Sequence, residues 1–273
     1  MSALIRRLVH LCVGIYALMS LLPLFWMFYS SFKTNAQIAQ DPLTLPTHID
    51  FTVFREAWAV GGLGQYAINS GIVTGTTTLL VLLTSAMAGF AISRLRFRGS
   101  KAIILMFTLG LLLPIQSYFI MQNQEFEWLN LKDTRWALII PYAAMGIPLA
   151  IWLIKTYVDS LPKELFEAAR IDGSTDLQTF RFLMLPIIRP ALVTVGIFTA
   201  LGAWNEFLLA LLYIQDESLK TIPTGLLSFS SKYATDYRML FAALTMVTVP
   251  MIALYVAFNK QIVAGLTQGA VKG

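Results

Sequence analysis

The chain has 273 residues, of which 57% are hydrophobic and only 13% charged, with a formal net charge of +5. A soluble domain carries about a quarter charged residues, so this supply cannot cover a surface that faces water on all sides, and lipid must be the solvent. Two histidines (His10, His48) and one cysteine (Cys12) are too few for a Cys/His metal site, no G-x-x-x-x-G-K-[ST] phosphate loop is present, and no Lys/Arg run interleaved with aromatics points to nucleic acid. Whatever energy the chain uses must come from a partner or from an ion gradient.

A bilayer core about 30 Å thick needs about 20 apolar residues in helix. Six stretches meet this: 8–29, 66–93, 102–121, 136–154, 191–214 and 239–258. They predict an all-α membrane protein of six transmembrane helices in a single domain, 1–273. The first apolar run is longer than a signal-peptide core and lacks a small-residue cleavage pattern before Lys33, so it reads as a retained span. The connection 33–65 holds Asp41-Pro42, Leu45-Pro46 and Gly61-Gly62 with Phe51, Phe54 and Trp58, and it reads either as an ordered external loop with a short interfacial helix over Phe51–Val60 or as a lipid-surface anchor.

Gly71-x-x-x-Gly75 and Ser85-x-x-x-Gly89 in the second stretch permit close helix packing, and Pro114, Pro141, Pro148 and Pro250 mark expected kinks. The connection between the second and third stretches carries Arg94, Arg96, Arg98 and Lys101. By the positive-inside rule it lies in the cytoplasm, which places both termini there too. Glu206 is the one acid inside a predicted span. Intramembrane acids usually face the protein interior, so Asn205 and Glu206 could line a pathway for a polar substrate; the alternative is that Glu206 bonds neighbouring helices or faces water near a span end.

The longest internal connection, 155–189, is the most specific. Ser160 and Pro162 fit a helix start, Lys163–Ile171 are helix formers, and Gly173 suits a left-handed cap. Thr175 and Gln178 fit a T-x-x-Q capping box for a second helix, which must stop or bend near Leu185-Pro186. The first helix aligns Leu165, Ala168, Ala169 and Asp172, with Glu167 and Arg170 at a polar rim. Such a helix–glycine–helix projection suits docking to another protein, or else an amphipathic helix on the inner leaflet.

The run E-A-A-R-I-D-G at Glu167–Gly173, followed by Phe180, Leu185-Pro186 and Pro190-Ala191-Leu192, resembles the EAA loop of ABC-importer permeases. N-S-G-I-V-T-G at Asn69–Gly75, A-I-S-R-L-R-F-R-G at Ala91–Gly99, T-R-W-A-L-I-I-P-Y at Thr134–Tyr142, W-N-E-F-L-L-A-L at Trp204–Leu211 and the tail Ile262–Gly273 are similar to binding-protein-dependent carbohydrate permeases of the maltose type. Ser174 stands where Ala is more usual in that family, and Gln122–Trp128 is more acidic, with Glu125 and Glu127.

The resemblance implies the type I importer fold and a bacterial or archaeal cell membrane. It implies a second, often unlike, permease subunit, two cytoplasmic ATPase subunits that hold ATP and Mg, and an extracytoplasmic sugar-binding protein. No cofactor or catalytic residue is then expected in this chain. Glu167, Ala168, Ala169, Asp172 and Gly173 would make the ATPase-coupling contact, with the glycine-rich tail Gly265–Gly273 as a second one. A permease for a non-sugar solute such as glycerol phosphate is the alternative within that family. An ion-coupled carrier would want more buried ionisable groups than Glu206 alone, and an intramembrane enzyme would want a Ser/His pair or paired carboxylates in the spans.

Overall fold

The computed structural model describes residues 3–59, 61–95, 97–112, 114, 117–230 and 235–270, the last ten as backbone only. The chain is helical nearly throughout; the described residues form no strand beyond an isolated bridge between Ser230 and Thr235. Two compact units emerge, 1–66 with 224–253 and 67–223 with 254–273.

In the first unit, α1 (Ala3–Ser30) is exposed from Leu4 to Pro23 and, beyond Arg6, Arg7 and His10 in its first turns, apolar on every side. Such a surface is stable only in contact with lipid or another apolar chain. Its C-terminal end is fixed by Trp26, whose ring meets Phe241 edge-on at 5.0 Å and whose Nε1 donates to Pro42 O at 2.8 Å. The following connection contains α2 (Asn35–Gln40) and α3 (Thr52–Ala59), the latter matching the helix expected at 51–60; Val60 lies outside the described residues. Lys33 is fully buried there, and its ammonium donates to the carbonyls of Asp41 (2.6 Å), Thr44 (2.9 Å) and Pro42 (3.2 Å). A buried cation without such partners would be very costly, so Lys33 fixes the path of the loop. Asp50, on the same loop, is held below the usual carboxylate range by the backbone N–H and hydroxyl of Thr52, and it also pairs with Arg238 at 2.8 Å.

The second unit is built around α7 (Trp136–Ser160), against which α5 (Ser100–Gly110), α11 (Arg189–Asn205) and α12 (Leu208–Tyr213) pack. Lipid removes the hydrophobic drive between helices, so small residues at the contact matter more than bulk. The tight approach is between α4 (Leu63–Arg94) and α7, where Ser85 is buried and a Cβ at Gly89 would lie 2.7 Å from Ile154 Cγ2. Gly71 and Gly75, by contrast, have no atom of another segment within 4 Å of a built Cβ, so among the described residues the G-x-x-x-G expected to pack closely finds no partner. One core cluster gathers Leu138, Tyr142, Leu209 and Tyr213; a second gathers Val81, Phe90, Ile154, Met184 and Ile188.

Among the described residues, four helices are long and apolar enough to cross a membrane: Leu4–Ser30, Leu63–Arg94, Trp136–Ser160 and Tyr237–Lys260. A fifth follows if the bent pair Asp176–Ile187 and Arg189–Asn205 is one span. The stretch expected as a span at 102–121 is instead α5, which ends at Gly110, and α6 (Phe119–Trp128), with Pro114 between them. Eleven helical residues rise only about 16 Å. The stretch at 191–214 is likewise divided, between α11 and α12 at Glu206-Phe207. Pro141, Pro148 and Pro250 stand inside continuous helices, the last in α14 (Tyr237–Ala270).

One end of this unit is tied by buried polar groups. Asn69 Nδ2 donates to the carbonyls of Ser218 (2.8 Å) and Lys220 (2.9 Å), while its Oδ1 accepts from Arg135 Nη2 (2.9 Å) and Nε (3.2 Å). Ser70 Oγ accepts from the Ile222 N–H at 2.9 Å. Asp216 caps the next turn through the Ser218 N–H and hydroxyl, which hold its carboxyl below the ordinary range. Since each buried partner left unsatisfied costs about 1–3 kcal/mol, Asn69→Ala is expected to lower the thermal midpoint in detergent by at least about 5 °C and to open the 215–222 segment to protease. Limited proteolysis with mass mapping checks both the site and the extent.

Candidate functional site

The predicted docking helix is present as α8 (Lys163–Ile171), joined to α7 by Leu161-Pro162. Ser160 does not cap it: α7 runs on to Ser160, whose hydroxyl bonds back to Tyr157 O, and Pro162 takes the N-cap position. At the other end the Gly173 N–H donates to Arg170 O and the Ser174 N–H to Ala169 O, both at 3.0 Å. This is the Schellman arrangement, which needs a left-handed residue at its centre; Gly173 has φ +78°. Thr175 and Gln178 form the expected reciprocal capping box. The next helical run passes through a π-helical stretch, Thr179–Met184, and bends by 75° at Ile188, three residues beyond Leu185.

No residue of α8 is buried. Glu167, Ala168, Asp172 and Gly173 are exposed, and Ala169 is half-buried. The site also displays apolar side chains: Leu165 is 41% exposed, Ile171 87%, Leu177 73% and Phe182 70%. The helix is held from beneath by Phe166, which packs at the margin of the second core cluster.

One holding residue escaped the sequence reading. Arg94, counted there only as a topological charge, ends α4 and reaches across to both neighbours of the loop. Its Nη2 donates to the carbonyls of Val158 and Leu161 at the end of α7, and its guanidinium carbon stands 4.0 Å from the centre of the Phe166 ring. Beside this stack lies a polar cavity of about 410 Å³, lined by Ser93, Arg94, Lys163, Glu167 and Arg170 among others. The only signals in the sequence were an arginine ending a span and an aromatic residue beside Glu167. Neither says which will meet the other.

The other candidate pair behaves differently. Glu206 sits where α11 ends, with extended backbone, and its carboxylate caps α12. Oε1 accepts from the Leu209 N–H (2.9 Å), and Oε2 accepts from the Ala210 N–H (3.2 Å) and the Tyr142 hydroxyl (2.5 Å). Asn205 is exposed, and its Nδ2 donates to Leu201 O. Tyr142 and Glu206 form the polar end of a cavity of about 210 Å³ between α7 and α11, whose walls include Met145, Leu149, Leu153 and Phe198. The tail expected as a second contact is helical to Ala270; its side chains from 261 onward, like Arg96, lie outside the described residues.

Residues 71–268 match the family model for the binding-protein-dependent transport system inner membrane component. The chain belongs to this family. It is thus an ABC importer permease, and two relatives bear that out. It is 40% identical to the probable ABC transporter permease protein YurM of Bacillus subtilis, over 92% of this chain and 83% of that one. It is 32% identical to the diacetylchitobiose uptake system permease protein NgcG of Streptomyces coelicolor, over 95% and 87%. The fold agrees with a solved bacterial ABC transporter involved in the import of the acidic polysaccharide alginate: TM-score 0.84, 22% identity, 95% of this chain and 98% of that one. The permease segment matched by the family model contains the whole α8 projection and the Glu206 cap.

Proposed function

We propose that this permease subunit imports an oligosaccharide by alternating access, and that α8 with its Gly173 turn is where ATP-hydrolysing partner subunits engage it. The observation that carries the proposal is a helix with no buried residue, itself exposing Leu165 and Ile171 and followed by exposed Leu177 and Phe182, yet closed at its C-terminus by a Schellman turn that runs directly into a capped second helix. A mobile segment would not need a Schellman turn followed directly by a capping box, and a segment facing only water would not display four large apolar side chains on α8 and the helical run after it. A second permease, two cytoplasmic ATPases holding ATP and Mg, and an extracytoplasmic binding protein complete the proposed complex, with both termini of this chain in the cytoplasm. The chain itself then holds no cofactor, and Glu167, Ala168, Ala169, Asp172 and Gly173 provide the contact.

The oligosaccharide assignment draws on the relative named for diacetylchitobiose uptake. The Glu206 carboxylate already accepts three hydrogen bonds within the protein, which leaves the exposed Asn205, with only its Nδ2 engaged, as the freer of the two for sugar contact. ATP-dependent uptake of labelled diacetylchitobiose and labelled glycerol phosphate, in vesicles carrying the complex purified through a tag on this chain, tests the substrate class. Uptake of the disaccharide is the expected result. Uptake of glycerol phosphate alone would replace the oligosaccharide reading with the non-sugar one.

A further inference from the structure

We infer that Arg94 is a positioning residue, the strut that carries movement of α8 into α4 and α7; the inference rests on α8 being the surface that the ATP-hydrolysing partner grips. A helix can pass displacement only to what it touches. Since α8 buries no residue, and the 410 Å³ cavity lies between its Lys163, Glu167 and Arg170 and the end of α4, it is not packed flush against that helix. The gap is bridged by Arg94. Its guanidinium face meets the Phe166 ring at 4.0 Å, while Nη2 holds Val158 O and Leu161 O. Those carbonyls lie on the C-terminal turn of α7 and on the two-residue link into α8, so one side chain joins all three segments.

The choice of residue type follows from the geometry. A cation at a helix C-terminus is favoured by the macrodipole, and a planar guanidinium can stack on a ring while donating in its own plane, which an ammonium cannot do. The guanidinium is held by the stack and by Nη2, and Asp159 at the end of α7 adds an electrostatic attraction without a direct ion pair to it. Such a contact can be loaded and released as α8 moves. A buried ion pair would resist that movement.

Coupling of conformational equilibria is reciprocal: a strut that carries ATPase movement to the spans also carries the resting preference of the spans to the ATPases and restrains their closure, and where closure limits hydrolysis the basal rate reads that restraint. The test is basal ATP hydrolysis by the complex, purified through a tag on this chain into lipid nanodiscs with no binding protein or sugar. Arg94→Ala and Phe166→Leu are each expected to raise the basal rate about fivefold with the ATPase subunits still bound. Phe166→Tyr, which keeps the ring, is expected to stay at the wild-type rate.

If Arg94→Ala fails to assemble, the Phe166 pair decides alone. An unchanged or lower rate in Phe166→Leu, loss of its ATPase subunits, or an equal rise in Phe166→Tyr would overturn the strut. A wild-type chain that retains no ATPase would instead overturn the docking reading beneath it, which separates the two failures.

Discussion

Gly173→Val is expected to strip ATPase subunits from the complex by about tenfold, while Gly173→Asn leaves them in place. Gly173 has φ +78°, a region that costs L-residues about 1–2 kcal/mol and β-branched ones more, with Asn the usual tolerated exception. A built Cβ meets nothing within 4 Å, so neither variant clashes. What Val loses is the turn itself: the Ser174 N–H would leave Ala169 O, and α8 would fray at the end that carries Asp172. Loss of 1–2 kcal/mol of ordering is worth about five- to thirtyfold in an association constant. Co-purification on the tagged chain reads the effect directly, and equal retention in both variants would mean that the shape of the turn does not matter to docking.

Glu206→Ala is expected to lower the thermal midpoint of the purified complex by about 10 °C, and Glu206→Gln by much less, with the KM for sugar unchanged in the Gln variant. The carboxylate is the acceptor for the Leu209 and Ala210 N–H groups and for the buried Tyr142 hydroxyl, and Ala leaves all three without it. At about 1–3 kcal/mol for each unsatisfied buried donor, the sum is several kcal/mol. Each kcal/mol moves the midpoint of a chain this size by about 2–4 °C. Gln keeps one carbonyl oxygen to accept from the Leu209 N–H while its NH2 can donate to the Tyr142 hydroxyl, so the Ala210 N–H alone loses its acceptor. A substrate ligand would show the opposite signature: a KM raised tenfold or more by Gln with little change in midpoint.

The elements that were legible in the sequence are those set by local chemistry. Gly173, Thr175 and Gln178 specify a turn and a helix start through backbone hydrogen bonds spanning a few residues, and the structure places them as expected. Hydropathy marked the regions of the long spans, because desolvation of the backbone depends only on what each stretch carries. It could not show where a span would break. Glu206 was visible as an intramembrane acid, but the break that turns it into a cap for α12 and its bond with Tyr142, sixty-four positions away, were not.

Arg94 was missed for the same reason. Its partners Val158, Leu161 and Phe166 are brought to it by the packing of α4 against α7, which turns on the contact of Gly89 with Ile154. Gly71 and Gly75 show the converse failure: a motif that permits close packing does not by itself supply the neighbour.

Photo-crosslinking from α8 tests the docking claim most directly. On a Cys12→Ser background, Ala168→Cys carries a maleimide–benzophenone label in native membranes, and Trp136→Cys, exposed at the opposite end of α7 from α8, serves as the control. Illumination is expected to join the Ala168→Cys chain to an ATP-binding subunit identifiable by mass spectrometry, while the control gives no such adduct. Adducts from Ala168→Cys that contain lipid but no ATP-binding subunit would contradict the account and leave α8 as a helix lying on the leaflet.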